Sequence, residues 1–363
     1  MVEHIKTDVV IIGAGPAGSS TAEHAALNGA NVVVLERRPV IGEPVRCGEF
    51  MPSLAEIRAI FPKALDIDPV FDMPQDLHSL ETTHIRIYSP SLRTWDVPFS
   101  GYTTDRNRFD QHLAKKAERA GASIITGVQA KRVREGLVIA DGLEVEAKVV
   151  VGADGPLSLV GKSLGYERSS DLCPAVTVQV KGDFEPVSEM YFGSVAPGGY
   201  AWIIPKKGGA NIGLGVANRF ARMTVNEYFR KFLEFKGIKP EMDISGKFVP
   251  MSGPIHHATK EHSLLVGDAA GQVMAVNGGG IPISMMTGRL AGRAVAMHVK
   301  NGAPLSDYEV MCRQQIYKPL YTAVHTKWLA NTCFGSKWRL EQAMRFLGQR
   351  RINKLIRCKP VLP

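Results

Sequence analysis

Cysteine is scarce in this chain: five among 363 residues, with no C-x-x-C pair. That excludes a small disulfide-stapled scaffold and a cysteine-rich structural zinc site. Long apolar runs are missing too. The longest uncharged stretch, between Asp268 and Arg289, holds five glycines, a proline, an asparagine and a glutamine, a poor composition for a membrane span. No secretory pattern opens the chain, because the apolar run after Lys6 ends in glycine within a few residues. Internal repeats and low-complexity segments are absent. Acidic residues are nearly missing from the C-terminal end: residues 336–363 carry eight Lys or Arg against one acid, Glu341. That end holds +7 of the formal +9, so the remainder is close to neutral. The expectation is a soluble cytoplasmic protein whose basic end either contacts an anionic surface or is simply a solvated helix face.

What is present is ordinary globular chemistry, 45% hydrophobic and 22% charged, at a length that suits two domains. The N-terminal region reads as strand (Thr7–Ile12), glycine turn, helix (Pro16–Asn28) and strand (Asn31–Glu36), a βαβ unit of about 30 residues. A proline-rich loop is expected from Arg37 to Pro62, a helix over Arg106–Ala120, and short strands over Gln129–Val151. From Leu172 to Val249 alternating segments such as AVTVQV, YAWIIP and NIGLGV predict an antiparallel sheet interrupted by a helix at Val225–Phe235. Buried-strand character returns at Ser263–Gly267, and the chain reads as mostly helical from Ser284. The fold class expected is α/β with an α+β insertion. A discontinuous Rossmann-like nucleotide-binding unit (1–75, 100–170 and 255–300) would carry an inserted antiparallel-sheet domain (76–99 and 171–254) and a basic helical C-terminal region (301–363).

Gly13-Ala14-Gly15-Pro16-Ala17-Gly18 is a G-x-G-x-x-G turn between that first strand and helix, and Glu36 ends the next strand 23 residues after Gly13. Gly13 permits the tight turn, Gly15 lets backbone approach a pyrophosphate, and Gly18 allows close helix–strand packing. The helix N-terminus offers free N–H groups to phosphate. The Glu36 carboxylate suits both ribose hydroxyls and disfavours a 2′-phosphate, so the nucleotide is FAD or NAD. Two later strand ends, VVVGADG (Val149–Gly155) and LVGDAAG (Leu265–Gly271), favour the longer FAD. Asp268 can accept from a ribityl hydroxyl, and a helix is expected to start just after it, near the glycine run Gly278–Gly280.

Together these three motifs resemble the flavoprotein fold of p-hydroxybenzoate hydroxylase over about residues 5–300. Finer features resemble the geranylgeranyl reductase family. They are Pro44-Val45-Arg46-Cys47-Gly48-Glu49, Arg106-Asn107-Arg108-Phe109-Asp110, and Pro197–Pro205 followed by Gly213-Leu214-Gly215. Ile204 stands where that family usually has Phe. The likeness extends to archaeal members that saturate digeranylgeranylglycerophospholipids. The resemblance implies an FAD-dependent reductase acting on isoprenoid C=C bonds, with Gly18, Glu36, Arg37, Arg46, Cys47, Gly48, Arg106, Val128, Asp268, Gly280 and Ile281 lining FAD. Arg106 at a helix start would neutralise the pyrophosphate. Cys47 would be a proton donor or a redox-sensitive gate beside the flavin, or a buried small hydrophobe.

Tyr200 and Trp202 fall at i and i+2 of a strand and share a face, either as core or as the wall of a lipid tunnel near Gly213 and Gly215. The resemblance favours the tunnel and makes Tyr200 and Trp202 catalytic candidates with Cys47. It also makes a Cys312–Cys333 disulfide thinkable, although two free helical cysteines is the expected state. His256 and His257 lack partners at useful spacing, so no metal site is assigned. Expected partners are a polyprenyl phospholipid, an external donor (ferredoxin, a reduced quinone or NAD(P)H) and a membrane surface. Trp338, Leu340, Ala343, Met344 and Leu347, near helical spacing beside the cations, would form an interfacial helix. Alternatives are a flavin monooxygenase on the same scaffold and a non-catalytic flavin electron carrier. Nucleic-acid binding rests on the basic end alone.

Overall fold

The structure is a computed structural model that describes residues 2–239 and 243–361. Residues 1, 240–242 and 362–363, which the expected units include, lie outside the described residues.

Three apolar runs build the centre of the first sheet. Glu3–Ile12 lies between Val32–Glu36 and Leu143–Gly152, parallel to both, with Val9 opposite Val32 on one side and Val149 on the other. Val9, Val10, Ile11 and Val149–Val151 are fully buried, as expected of parallel strands covered on both faces. Ser123–Thr126 extends one edge, and Ser263–Leu265 with Thr259–Lys260 extends the other. Two helices, Pro16–Leu27 and Ile281–Asn301, pack against each other beside this sheet. Their close approach has a cause in the sequence. A Cβ on Gly288 would stand 2.6 Å from the Ala17 carbonyl oxygen, and one on Gly292 would stand 2.5 Å from that of Thr21.

The second sheet runs Ser245–Pro250, Leu172–Lys181, Gly209–Gly215, Tyr200–Lys206, Ser188–Tyr191, His78–Tyr88, Thr94–Thr104 and Phe50–Pro52. It is antiparallel except for one parallel pair, Ser188–Tyr191 with His78–Tyr88. Its two faces have different fates. Ala201 and Ile203 pack under Phe229 and Phe232 of the helix Val225–Lys236. That helix is fixed at its start by a Thr224–Glu227 capping box and at its end by Gly237 at φ 67°. Tyr200, Trp202 and Ile204 alternate onto the opposite face, which looks into a cavity.

Two expected elements differ. The stretch Arg37–Pro62 is not all loop: it holds the Phe50–Pro52 strand and the helix Leu54–Ile60, capped by the Ser53 hydroxyl. Nor does a helix follow Gly267-Asp268 directly. A 3-10 turn covers Gly267–Ala270, and the long helix begins only at Ile281. Gly271 (φ 66°) and Gly278 (φ 69°) adopt left-handed values that stop a helix.

The C-terminal region is helical: Asp307–Gln315, Tyr317–Phe334 and Lys337–Ile356, the last broken at Gly348 (φ 57°, ψ 177°). No helix among the described residues is long and apolar enough to cross a membrane. Cys312 and Cys333, like the other three cysteines, are free thiols.

Candidate active site

The glycine turn opens onto a polar cavity of about 590 Å³. Gly13, Gly15, Glu36, Arg37 and Val128 line one part of it; Arg46, Cys47, Arg106, Asp268, Gly280 and Ile281 line the rest. Gly18 does not line it. A Cβ there would stand 1.8 Å from the Gly13 carbonyl oxygen, so its role is the helix–strand contact. A Cβ on Gly15 would meet nothing within 4 Å, which leaves the backbone open to a ligand. Glu36 is buried at the end of its strand. One carboxylate oxygen accepts from the Ala14 N–H and the other from the Arg38 N–H, both at 2.9 Å.

A second cavity, of about 240 Å³ and mostly apolar, lies against the open face of the second sheet. Tyr200, Trp202, Gly48 and Gly215 line it, and Phe99, Ile85 and Ile356 form another part of its wall. The Tyr200 and Trp202 rings sit 5.9 Å apart. Gly213 makes room for the indole rather than lining the space: a Cβ there would stand 2.4 Å from Trp202 Cζ2. Burial pushes the Tyr200 phenol well above its ordinary pKa, and its O–H donates to the Asn277 carbonyl. The two cavities share Arg46, Cys47, Lys247, Val249, Gly278, Gly280 and Ile281, so Cys47 stands where the polar and apolar spaces meet.

Charge at this junction departs from the sequence expectation. Arg106 lines the polar cavity, but its guanidinium grips Asp110 with three contacts of 2.8–3.0 Å, and the pair is buried and neutral overall. Arg37, Arg38 and Arg46 also line this cavity, and the buried Nε of Arg46 has no hydrogen-bond partner among the described residues. Asp268 is engaged by Lys247 at 3.1 Å. The Asp268 carboxylate holds the Lys247 ammonium above its ordinary pKa in spite of desolvation. Sequence reading quoted Asp110 and Glu49 in motifs without giving either a role, and it missed Lys247 and the buried polar cluster that Asn211 forms with Glu49. Only a polar residue standing alone in an apolar strand, as Asn211 does in ANIGLG, could have flagged the last.

The polar cavity fits a dinucleotide flavin on these observations. It offers an open glycine turn at a helix N-terminus, an acid at the neighbouring strand end and an arginine whose buried Nε is unpartnered among the described residues. This fold and site define a flavoprotein of the p-hydroxybenzoate hydroxylase-like type. Residues 8–45 match the family model described as FAD dependent oxidoreductase, and residues 173–247 match that of the geranylgeranyl reductase catalytic domain. A digeranylgeranylglycerophospholipid reductase of Methanosphaera stadtmanae is 38% identical over 325 residues, covering 82% of this chain and 76% of that protein. The crystal structure of a geranylgeranyl bacteriochlorophyll reductase-like protein from Thermoplasma acidophilum superposes with a TM-score of 0.83 at 26% identity, covering 97% of this chain and 92% of the other. A probable FAD-dependent monooxygenase from Pseudomonas aeruginosa shares the fold at a TM-score of 0.68 and 16% identity, over 93% of this chain and 99% of that one. The chain belongs to the geranylgeranyl reductase family, whose members are FAD-dependent oxidoreductases.

Proposed function

We propose that this protein saturates the C=C bonds of geranylgeranyl chains carried on archaeal-type glycerophospholipids. The observation that carries this reading is the junction at Cys47. There an apolar cavity walled by Tyr200 and Trp202 opens onto the polar cavity of the glycine turn.

When bound, a reduced flavin supplies a hydride equivalent. An isolated trisubstituted alkene has no carbonyl to stabilise a carbanion. Positive character therefore develops at the tertiary carbon while a proton reaches the less substituted one. This chain's part is to tolerate that charge and to exclude water. The Tyr200 and Trp202 faces serve the first need, each such contact contributing about 0.5–2 kcal/mol. The apolar lining serves the second. The proton comes from the Cys47 thiol or a held water. Tyr200 is ill suited, because its O–H is committed to Asn277 and its pKa is raised. Arg46 would hold the pyrophosphate, and Glu36 the ribose.

The 1–75, 100–170 and 255–300 segments would act as the flavin unit, and 76–99 with 171–254 as the substrate unit. The reductant is external: ferredoxin, a reduced quinone or NAD(P)H. The enzyme would work in the cytoplasm, peripherally bound to the membrane that holds its substrate. In support, Trp328, Trp338 and Phe346 are each more than 60% exposed among the cations of the last two helices.

The test is to purify the protein, record its flavin absorption, reduce it with dithionite and supply a digeranylgeranyl glycerophospholipid. Mass increments of two hydrogens per bond are expected. Oxygen incorporation with peroxide release would favour a monooxygenase. No lipid product, with rapid reoxidation by an acceptor protein, would favour a carrier.

A further inference from the structure

Asn211 lies on the Gly209–Gly215 strand with no exposed surface. Its amide uses its full hydrogen-bonding capacity. Nδ2 donates to the Cys47 carbonyl at 2.7 Å and to Glu49 Oε2 at 2.8 Å. Oδ1 accepts from Trp202 Nε1 at 2.8 Å and from the Thr177 hydroxyl at 2.7 Å. The indole N–H can only donate and the carbonyl can only accept, so the partners permit one orientation of the amide.

Glu49 completes the device. It is fully buried and holds φ 64°, a left-handed value that a bulky residue keeps only where its surroundings impose it. Its carboxylate also accepts from Gln179 Nε2 (2.6 Å), Lys206 Nζ (3.0 Å) and the Arg106 N–H (3.2 Å). Lys206 balances its charge and is itself paired with Asp105 at 2.7 Å. The Glu49 N–H in turn points to Cys47 Sγ at 3.3 Å. One buried amide thus ties the loop that carries the thiol to the ring that walls the apolar cavity.

We infer that Asn211 is a positioning residue that holds the Cys47 thiol and the Trp202 indole in fixed relation where the two cavities meet. The inference rests on the proposed roles of Cys47 and Trp202, but its geometry can be tested without turnover. Asn211→Asp keeps the acceptor for Trp202 and Thr177. It replaces the donor with a second carboxylate oxygen facing Glu49 and the Cys47 carbonyl. Protonation of the new carboxyl restores one of the two donor contacts, so the defect should depend on pH.

The experiment is iodoacetamide labelling of Cys47 in the FAD-loaded protein, followed by peptide mass spectrometry. The rate is expressed as the ratio of variant to wild type at each pH. The ratio is expected to be at least about tenfold at pH 8, the scale set by loss of the buried donor contacts to the Cys47 carbonyl and Glu49, and to fall at pH 5.5 as one donor is restored. With lipid substrate, kcat should follow the same pH course while KM changes little. A folded Asn211→Asp protein whose labelling ratio stays near one at every pH overturns the inference. If that variant fails to fold, Trp202→Phe decides. It removes one donor to the amide and keeps an aromatic ring, so a raised labelling ratio supports the inference and an unchanged one overturns it. If wild type shows no lipid turnover, the proposed substrate fails while the labelling result stands on its own.

Discussion

Three glycines in one six-residue turn face three different surroundings. Gly15 faces open space where a ligand approaches, so Gly15→Ala should fold and melt normally. It should bind FAD at least about tenfold more weakly, because a methyl group then stands in the approach path; flavin titration by fluorescence measures this. Gly18 abuts the Gly13 carbonyl oxygen, so Gly18→Ala should lower stability by about 1–3 kcal/mol or more, read from chemical denaturation. Equal behaviour of the two variants would contradict this division of roles. The turn was legible in the sequence because its chemistry is local: strand, glycines, helix and acid fall within 30 residues. The charges at the junction were not. Lys247 and Asp268 are 21 residues apart, and Asn211 and Glu49 are 162 apart. Only the folded chain brings them together. Arg106 is a different case: Asp110 stands one helical turn on in a helix expected from the sequence, so the pairing that neutralises it was legible from i,i+4 spacing and was not drawn.

Elements show how a periodic pattern can be read correctly and its partner misjudged. The spacing Leu340, Met344 and Leu347 does mark the apolar face of a helix, but that face packs into the protein: Leu340 and Met344 are buried, and Leu347 packs against the core. The aromatic residues exposed on this helix are Trp338 and Phe346. Sequence periodicity gives the face and not what covers it. Docking of this helix is also tied to acid. Burial opposes ionisation of Glu341, but hydrogen bonds from Ser91, Ser89 and Arg345 override it and hold the carboxyl down to about 2. Its folded pKa lies below the ordinary 4.5. Its contribution to stability is therefore complete above about pH 4.5 and is lost as pH falls toward 2. Melting temperature should drop across that window in wild type and less steeply in Glu341→Gln; identical acid profiles would remove Glu341 from the account. A second element-level test concerns the helix pair Pro16–Leu27 and Ile281–Asn301. Gly292→Leu must push the two helices apart, since even a Cβ meets the Thr21 carbonyl oxygen at 2.5 Å. It should destabilise by about 1–3 kcal/mol and loosen FAD, as seen in a flavin-release melting curve.

At the scale of the whole molecule, the two-sheet plan was legible from a change in period. Continuous apolar runs gave the parallel centre, and alternating ones gave the second sheet. The Phe50–Pro52 strand escaped because three residues carry no readable period. The proposed membrane docking belongs to this scale as well. Deleting the basic end would be a poor test, because Ile352 and Ile356 are buried and Arg357 forks onto Glu56. Charge reversal of Lys337, Arg339 and Lys354, all exposed, leaves the packing intact. It should reduce co-sedimentation with anionic vesicles by at least about 1 kcal/mol per charge, and unchanged sedimentation would remove the basic face from membrane binding. One wall of the apolar cavity has a consequence for biosynthesis. Ile356 follows in chain order every other residue that lines that space. While the polypeptide is still being made, the compartment therefore lacks a side until nearly the whole described chain has emerged, and a greasy tail captured early would sit in an unfinished, wet vessel.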